Sequence, residues 1–100
     1  MKNILLVCAA GMSTSLLVNK MKDAAKAKGV EININALPVS ECSSVVDIVD
    51  IVLLGPQVRF QKPQIEAMAN GRIPVEVIDM RFYGTMNGKG VLESALELIK

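Results

Sequence analysis

The sequence has no histidine and no tryptophan, and only three aromatic residues in all. Without histidine, Ser–His and Cys–His catalysis, phosphohistidine chemistry on this chain and most zinc sites are excluded. Three rings offer almost no surface on which bases could stack. A formal net charge of +1 supplies no basic footprint, so no nucleic acid is expected as partner. Two cysteines lie far apart in sequence, too few and too distant for a disulfide framework. The longest apolar stretches, near Ile51 to Leu54, are far too short to span a bilayer. The first residues read as a strand and lack the apolar region and cleavage site of a signal peptide. A reduced, cytoplasmic setting is the expectation.

What is present is aliphatic. Half of the 100 residues are apolar, so a single core of Val, Ile, Leu, Met and Ala is expected in one domain over residues 1–100. Residues 3–8 read as a short buried strand, followed by a small-residue turn and a helix running to about Lys28, with Leu17, Met21, Ala24 and Ala25 on one face. Gly29 ends that helix where a left-handed cap is usual. Residues 30–37 alternate strictly, as in a half-buried strand. A short helical piece over residues 40–46 precedes a nearly all-apolar strand over residues 48–54, closed by Gly55-Pro56. A helix over residues 62–70 ends at Gly71, and residues 75–78 form the fourth strand. A loop through Gly84 and Gly88 leads to a last helix, with Leu92, Ala95, Leu96 and Ile99 on one face.

Strands separated by helices imply right-handed crossovers and a parallel sheet. Apolar strands belong in the middle and alternating ones at an edge. The expected fold is therefore α/β, a three-layer αβα arrangement with a four-stranded parallel sheet in the order 2-1-3-4. Connections leaving strands one and three in opposite directions open a crevice at their carboxyl ends. The segments from Cys8 to Ser15 and from Gly55 to Arg59 both point there.

The first of these segments carries the chemistry. Small residues let the backbone approach an anion, and Gly11 permits dihedrals closed to other residues. The amides of Ala10, Gly11, Met12, Ser13, Thr14 and Ser15, at a turn leading into a helix, form a candidate phosphate cradle. A thiol at such a helix start has its pKa lowered toward neutrality, which makes Cys8 a candidate nucleophile for phosphoryl transfer through phosphocysteine. The bland alternative is a buried cysteine at a strand end. Low-molecular-weight tyrosine phosphatases have a similar fold and turn, but their cysteine is followed after five residues by arginine. Here that position is Thr14. Without a guanidinium at the transition state, relay is favoured over hydrolysis.

On Ile4-Leu5-Leu6-Val7-Cys8 and Ala9-Ala10-Gly11-Met12-Ser13-Thr14-Ser15, the chain resembles the IIB component, of the lactose/cellobiose/chitobiose type, of the bacterial phosphoenolpyruvate-dependent sugar phosphotransferase system. Val52-Leu53-Leu54-Gly55-Pro56-Gln57-Val58, Val77-Ile78-Asp79 and the segment from Tyr83-Gly84 to Gly88 extend the resemblance over essentially the whole chain. It implies a phosphohistidine IIA protein as donor to Cys8, and a sugar (a β-linked disaccharide) bound in the membrane IIC permease as acceptor. It implies no cofactor and no metal, and action at the inner face of the membrane, by transient docking or through a fusion partner.

Other residues have plainer readings. Cys42 lacks a glycine-rich turn or a neighbouring thiol and reads as structural. Asp79, at the end of strand four, can serve as an acid, but capping of the next segment is the simpler role. Arg59 reads equally as a phosphate-steering group, a partner contact or a solvated charge. Tyr83 reads as a loop anchor before a docking residue. Lys20, Lys22, Lys26 and Lys28 decorate the first helix and favour its carboxyl end. Two other functions compete with the relay. A phosphatase would need Asp79 as acid and Arg81 folded over the site, and a flavodoxin-like receiver would need several carboxylates at strand ends, where Asp79 stands alone. A thiol reductase would need a resolving cysteine nearby.

Overall fold

The apolar runs of the sequence become the middle of a parallel sheet. In the computed structural model, which describes residues 2–8, 14–38, 41, 45 and 48–99 (backbone alone at Cys8, Thr14, Ser15 and Gln57), the strands are β1 (Lys2–Cys8), β2 (Ile32–Pro38), β3 (Ile51–Leu54) and β4 (Val75–Val77). They pair in the order β2-β1-β3-β4, all parallel. This is the expected order. The helices are α1 (Thr14–Lys28), α2 (Lys62–Ala69), α3 (Met80–Gly84) and α4 (Gly88–Leu98), with a 3₁₀ segment at Pro56–Gln61 between β3 and α2.

Side chains alternate across a strand, so β1 feeds two cores. Ile4 and Leu6 join Ile51 and Leu53 against Leu17 and Met21 of α1 and Leu92 and Ala95 of α4. Leu5 and Val7 join Val52 and Leu54 against Val58, Ile65 and Ala69 of the 3₁₀ segment and α2. All four β1 residues are fully buried, as a central strand covered on both faces requires. At the edge, β2 turns Ile34 inward and leaves Asn33 and Asn35 in water.

The ends of the elements have local causes. Gly29 takes φ +72°, and the amides of Gly29 and Val30 donate to the carbonyls of Lys26 and Ala25, at 3.2 and 2.9 Å. These two bonds satisfy the last carbonyls of α1, and Val30 is thereby taken out of β2. Asn70, φ 53°, turns the chain left-handed one residue ahead of Gly71.

Two further expectations are corrected. β3 begins at Ile51 rather than at 48: Ile48 is 69% exposed, and Asp50 is held by the β1 backbone. Its amide donates to the Asn3 carbonyl, and its carboxylate accepts from the Asn3 amide, both at 2.7 Å. The segment through Gly84 and Gly88 contains a short helix, α3, and the start of α4. Gly88 is buried because α4 lies directly on α1; a Cβ there would stand 2.5 Å from the Lys20 carbonyl carbon. The glycine marks close helix contact rather than a loop. The helical piece expected over residues 40–46 lies largely outside the described residues, as does Cys42.

Candidate functional site

β1 delivers Cys8 to the carboxyl edge of the sheet, level with Pro38 of β2. One residue earlier, Val7 is level with Leu54, and the Gly55 amide donates to the Val7 carbonyl at 2.9 Å. The chain then leaves the two central strands on opposite sides. α1 packs on the Ile4–Leu6 face, and Val58 of the 3₁₀ segment packs on the Leu5–Val7 face. The end of β1 is thus the switch point at which such a sheet opens a ligand crevice.

α1 begins at Thr14, so the positive end of its dipole and its first, internally unpartnered amides belong to this edge. Of the expected cradle, Thr14 and Ser15 form the first two residues of α1, while Ala10, Gly11, Met12 and Ser13 lie outside the described residues.

Asp79 follows β4 at the same edge and caps α3. Its carboxylate accepts from the Arg81 amide at 2.8 Å and from the Arg81 guanidinium at 3.2–3.3 Å. The Arg81 side-chain bonds, aided by the backbone bond, hold the Asp79 carboxyl below the usual carboxylate range, and the pairing raises Arg81. Capping, the simpler of the two roles read for Asp79, is the one observed. Tyr83 is half-buried against the α1–α4 core, in keeping with an anchor.

Arg59 is exposed beside Pro56, Phe60 and Met80, which line a shallow depression of about 390 Å³. Phe60 and Met80 are 73% and 61% exposed. Neither was singled out from the sequence, although Phe60 sits among Arg59, Gln61 and Lys62, a polar setting for one of three aromatic residues. A narrower groove of about 230 Å³ runs between β4 and α4, with Leu53 and Val91 on its floor and Glu76 and Asp79 among its walls. Among the described residues, no group of three His, Cys, Asp or Glu side chains is placed to hold a metal ion. No described helix is long and apolar enough to cross a membrane.

Comparison with known proteins decides the family. The sequence model described as "PTS system, Lactose/Cellobiose specific IIB subunit" matches residues 3–94. The chain belongs to this IIB family. It is 46% identical to the PTS system oligo-beta-mannoside-specific EIIB component of Bacillus subtilis (strain 168), over 99% of this chain and 97% of that protein. It is 41% identical to the PTS system galactose-specific EIIB component of Lactococcus lactis subsp. cremoris (strain MG1363), over 98% and 96% of the two chains. The solution structure of the cellobiose-specific phosphotransferase IIB component from Borrelia burgdorferi superposes with a TM-score of 0.81 at 46% identity, covering 98% of this chain and 91% of that one. The lactose-specific IIB domain from Streptococcus pneumoniae gives 0.86 at 20% identity, over 99% and 98%, and shows the shared fold alone. This IIB chain therefore has the fold expected of it and is a component of a sugar phosphotransferase system.

Proposed function

We propose that this chain is a phosphoryl relay in sugar uptake, with Cys8 as the carrier. The Cys8 thiolate attacks phosphorus of a phosphohistidine on the IIA partner. An S–P bond forms, the N–P bond breaks, and the released imidazole takes up a proton. In the second half, a hydroxyl of a sugar bound in the membrane IIC permease attacks the phosphocysteine. An O–P bond forms, the S–P bond breaks, and the hydroxyl proton leaves to solvent while the thiolate is regenerated. The amides of Ala10, Gly11, Met12, Ser13, Thr14 and Ser15 hold the phosphoryl oxygens at the head of α1. The relay needs no cofactor, and it works in the cytoplasm at the inner membrane face, docking transiently or through a fusion partner.

The observation that carries this reading is the end of β1 at the switch point, with α1 starting on the same edge. Family membership supports the donor and acceptor, and the relatives' names support a sugar acceptor, a β-linked disaccharide being the class expected. Relay is favoured over hydrolysis by two features of the chain. Thr14 stands where a phosphatase of similar fold has arginine. Arg81 is engaged by Asp79, and the pairing lowers the Asp79 carboxyl, the opposite of the raised value a general acid needs.

Incubation with phosphoenolpyruvate and the cognate upstream proteins is expected to add one phosphoryl group, mapped to Cys8 by mass spectrometry and removed by acid or iodine. Cys8→Ser is expected to abolish acceptance and sugar phosphorylation. Normal transfer by that variant would end the proposal, and rapid aryl-phosphate turnover without an acceptor would favour the phosphatase.

A further inference from the structure

Six asparagines occur in the chain, and two of them, Asn70 and Asn87, precede a glycine. An asparagine side chain is open to attack by the backbone nitrogen of the next residue, and glycine hinders that attack least because it has no side chain. The other four precede Ile, Lys or Ala. The fold treats the two Asn-Gly pairs differently. At Asn87 both reacting groups are held: the Gly88 amide donates to the Met86 carbonyl at 2.9 Å, and the Asn87 side-chain oxygen accepts from the Gly90 amide at 3.0 Å. Gly88 is also buried against α1, so the peptide between the pair is fixed. Asn70 and Gly71 are both exposed in the turn from α2 to β4, at φ 53° and 74°. Among the described residues, nothing accepts from the Gly71 amide and nothing bonds the Asn70 side chain. For attack, the ψ of Asn70 must leave its left-handed value of 37°, and the bond across that turn is a single one, from the Arg72 amide to the Ala69 carbonyl at 3.1 Å.

We propose that Asn70 is a site of spontaneous deamidation, through a cyclic imide closed by the Gly71 nitrogen, and that its cap protects Asn87 from the same reaction. The Gly71 nitrogen gives its proton to solvent and attacks the side-chain carbonyl carbon of Asn70. An N–C bond forms, the bond from that carbon to the side-chain nitrogen breaks, and ammonia leaves. Water then opens the ring. Opening at the side-chain carbonyl gives aspartate, and opening at the main-chain carbonyl gives isoaspartate, whose backbone is longer by one methylene. One water is consumed and one ammonia released. Either product sets a carboxylate beside the last carbonyls of α2, the negative end of its dipole, where a like charge is unfavourable. Isoaspartate also lengthens the turn that the Asn70 amide closes on the Glu66 carbonyl at 2.9 Å. The damage falls on α2 and on Ile65 and Ala69, which α2 packs against the sheet. The turn precedes β4 and so lies at the amino edge of the parallel sheet, opposite the edge to which Cys8 is delivered. The inference therefore stands apart from the relay reading of Cys8.

Incubation of the intact chain in mildly alkaline buffer, followed by peptide mapping, reads both sites side by side. In the folded chain Asn70 is expected to convert at least tenfold faster than Asn87. Isoaspartate at position 70 is confirmed by carboxyl methylation with an isoaspartyl methyltransferase and S-adenosylmethionine. In concentrated urea the two rates should agree within about twofold, because the bonds that hold Asn87 and Gly88 are gone. The aged chain should melt below the fresh one. Asn70→Gly, which suits a left-handed turn and has no amide to lose, should keep its melting temperature on ageing. Phosphoryl acceptance per folded chain should be the same before and after ageing. Conversion of Asn87 as fast as Asn70 in the folded chain would overturn the inference, as would an Asn70 that stays intact while both sites convert in urea. A rate ratio that persisted in urea would assign the difference to local sequence and remove the protective role of the cap.

Discussion

Ile4 and Leu6 face one side of the sheet and Leu5 and Val7 the other, yet the two sides are covered in different ways. The first carries α1 and α4, helices of 15 and 11 residues that touch along Gly88 and are bridged by Lys28 and Glu93 at 3.3 Å. On the second, the described elements are the 3₁₀ segment and the eight-residue α2, which present Val58, Ile65 and Ala69. The long helices fix the axis of α1 and, with it, the place where the chain re-enters after Cys8. The 3₁₀ segment of the second side also carries Arg59 and Phe60, which are exposed. One side of the sheet carries the helix that starts after β1, and the other carries the exposed Arg59 and Phe60.

Matched truncations can break this division. Leu92→Ala removes a fully buried side chain between the sheet and α1, and should destabilise by about 3–5 kcal/mol in denaturant melts. Ile65→Ala, equally buried on the other side, should cost about 2–4 kcal/mol, because its shorter helix can settle into the space. At temperatures where both variants remain folded, phosphoryl acceptance by Cys8 should slow in Leu92→Ala and hold in Ile65→Ala. Equal slowing in both would show that the two faces do not divide the work.

Much of this asymmetry was legible in the residues. The strand order followed from continuous apolar runs at β1 and β3 and from alternation at β2, since burial on two faces or on one leaves different patterns. The end of β1 could be set at a switch point for the same reason. Elsewhere tertiary contact overrides local pattern. Ile48 and Val49 extend an apolar run, but the Asp50 carboxylate captures the Asn3 amide and β3 starts only after it. Gly84 and Gly88 suggest a loop, but Asn87 caps a helix that starts at Gly88, its side-chain oxygen accepting from the Gly90 amide at 3.0 Å, and α1 approaches too closely there for any side chain. α3 is too short for periodicity to reveal, although its cap, Asp79, was visible. The outward turn of Phe60 and Met80 has no signature in a window of sequence, because exposure depends on what the rest of the chain leaves uncovered.

Gly88 gives a sharper test of the helical side. Alanine favours a helix over glycine by roughly 1 kcal/mol, so propensity alone makes Gly88→Ala stabilising. The new Cβ would meet Lys20 carbon atoms at 2.5 Å and the Met21 amide nitrogen at 2.6 Å, and the backbone atoms among these cannot swing aside. Forced separation of α1 and α4 should reverse the sign, for a net loss of about 1–3 kcal/mol. Gly84→Ala meets nothing within 4 Å and should stay within about 0.5 kcal/mol of the parent. A neutral Gly88→Ala would mean that the two helices are not held as one layer.

The smallest expected effect concerns Asp79, which caps α3 at its first residue, Met80. Its folded pKa is depressed by Arg81, so its contribution is present above the ordinary carboxylate value of about 4 and is lost as pH falls through the lower folded value. Asp79→Asn keeps a capping oxygen but removes the charge, and Asp79→Ala removes both. At neutral pH the melting temperature should therefore fall slightly in Asp79→Asn and further in Asp79→Ala. The gap between parent and Asp79→Asn should close once the parent's carboxylate is protonated. Because the pair is exposed, added salt at neutral pH should narrow the same gap. A gap that persisted unchanged into strong acid would assign the effect to packing of α3 rather than to the ion pair. Met80 would then be positioned by the packing of Phe82 and Tyr83 on the core, so that the start of α3 would depend on the helical side of the sheet after all.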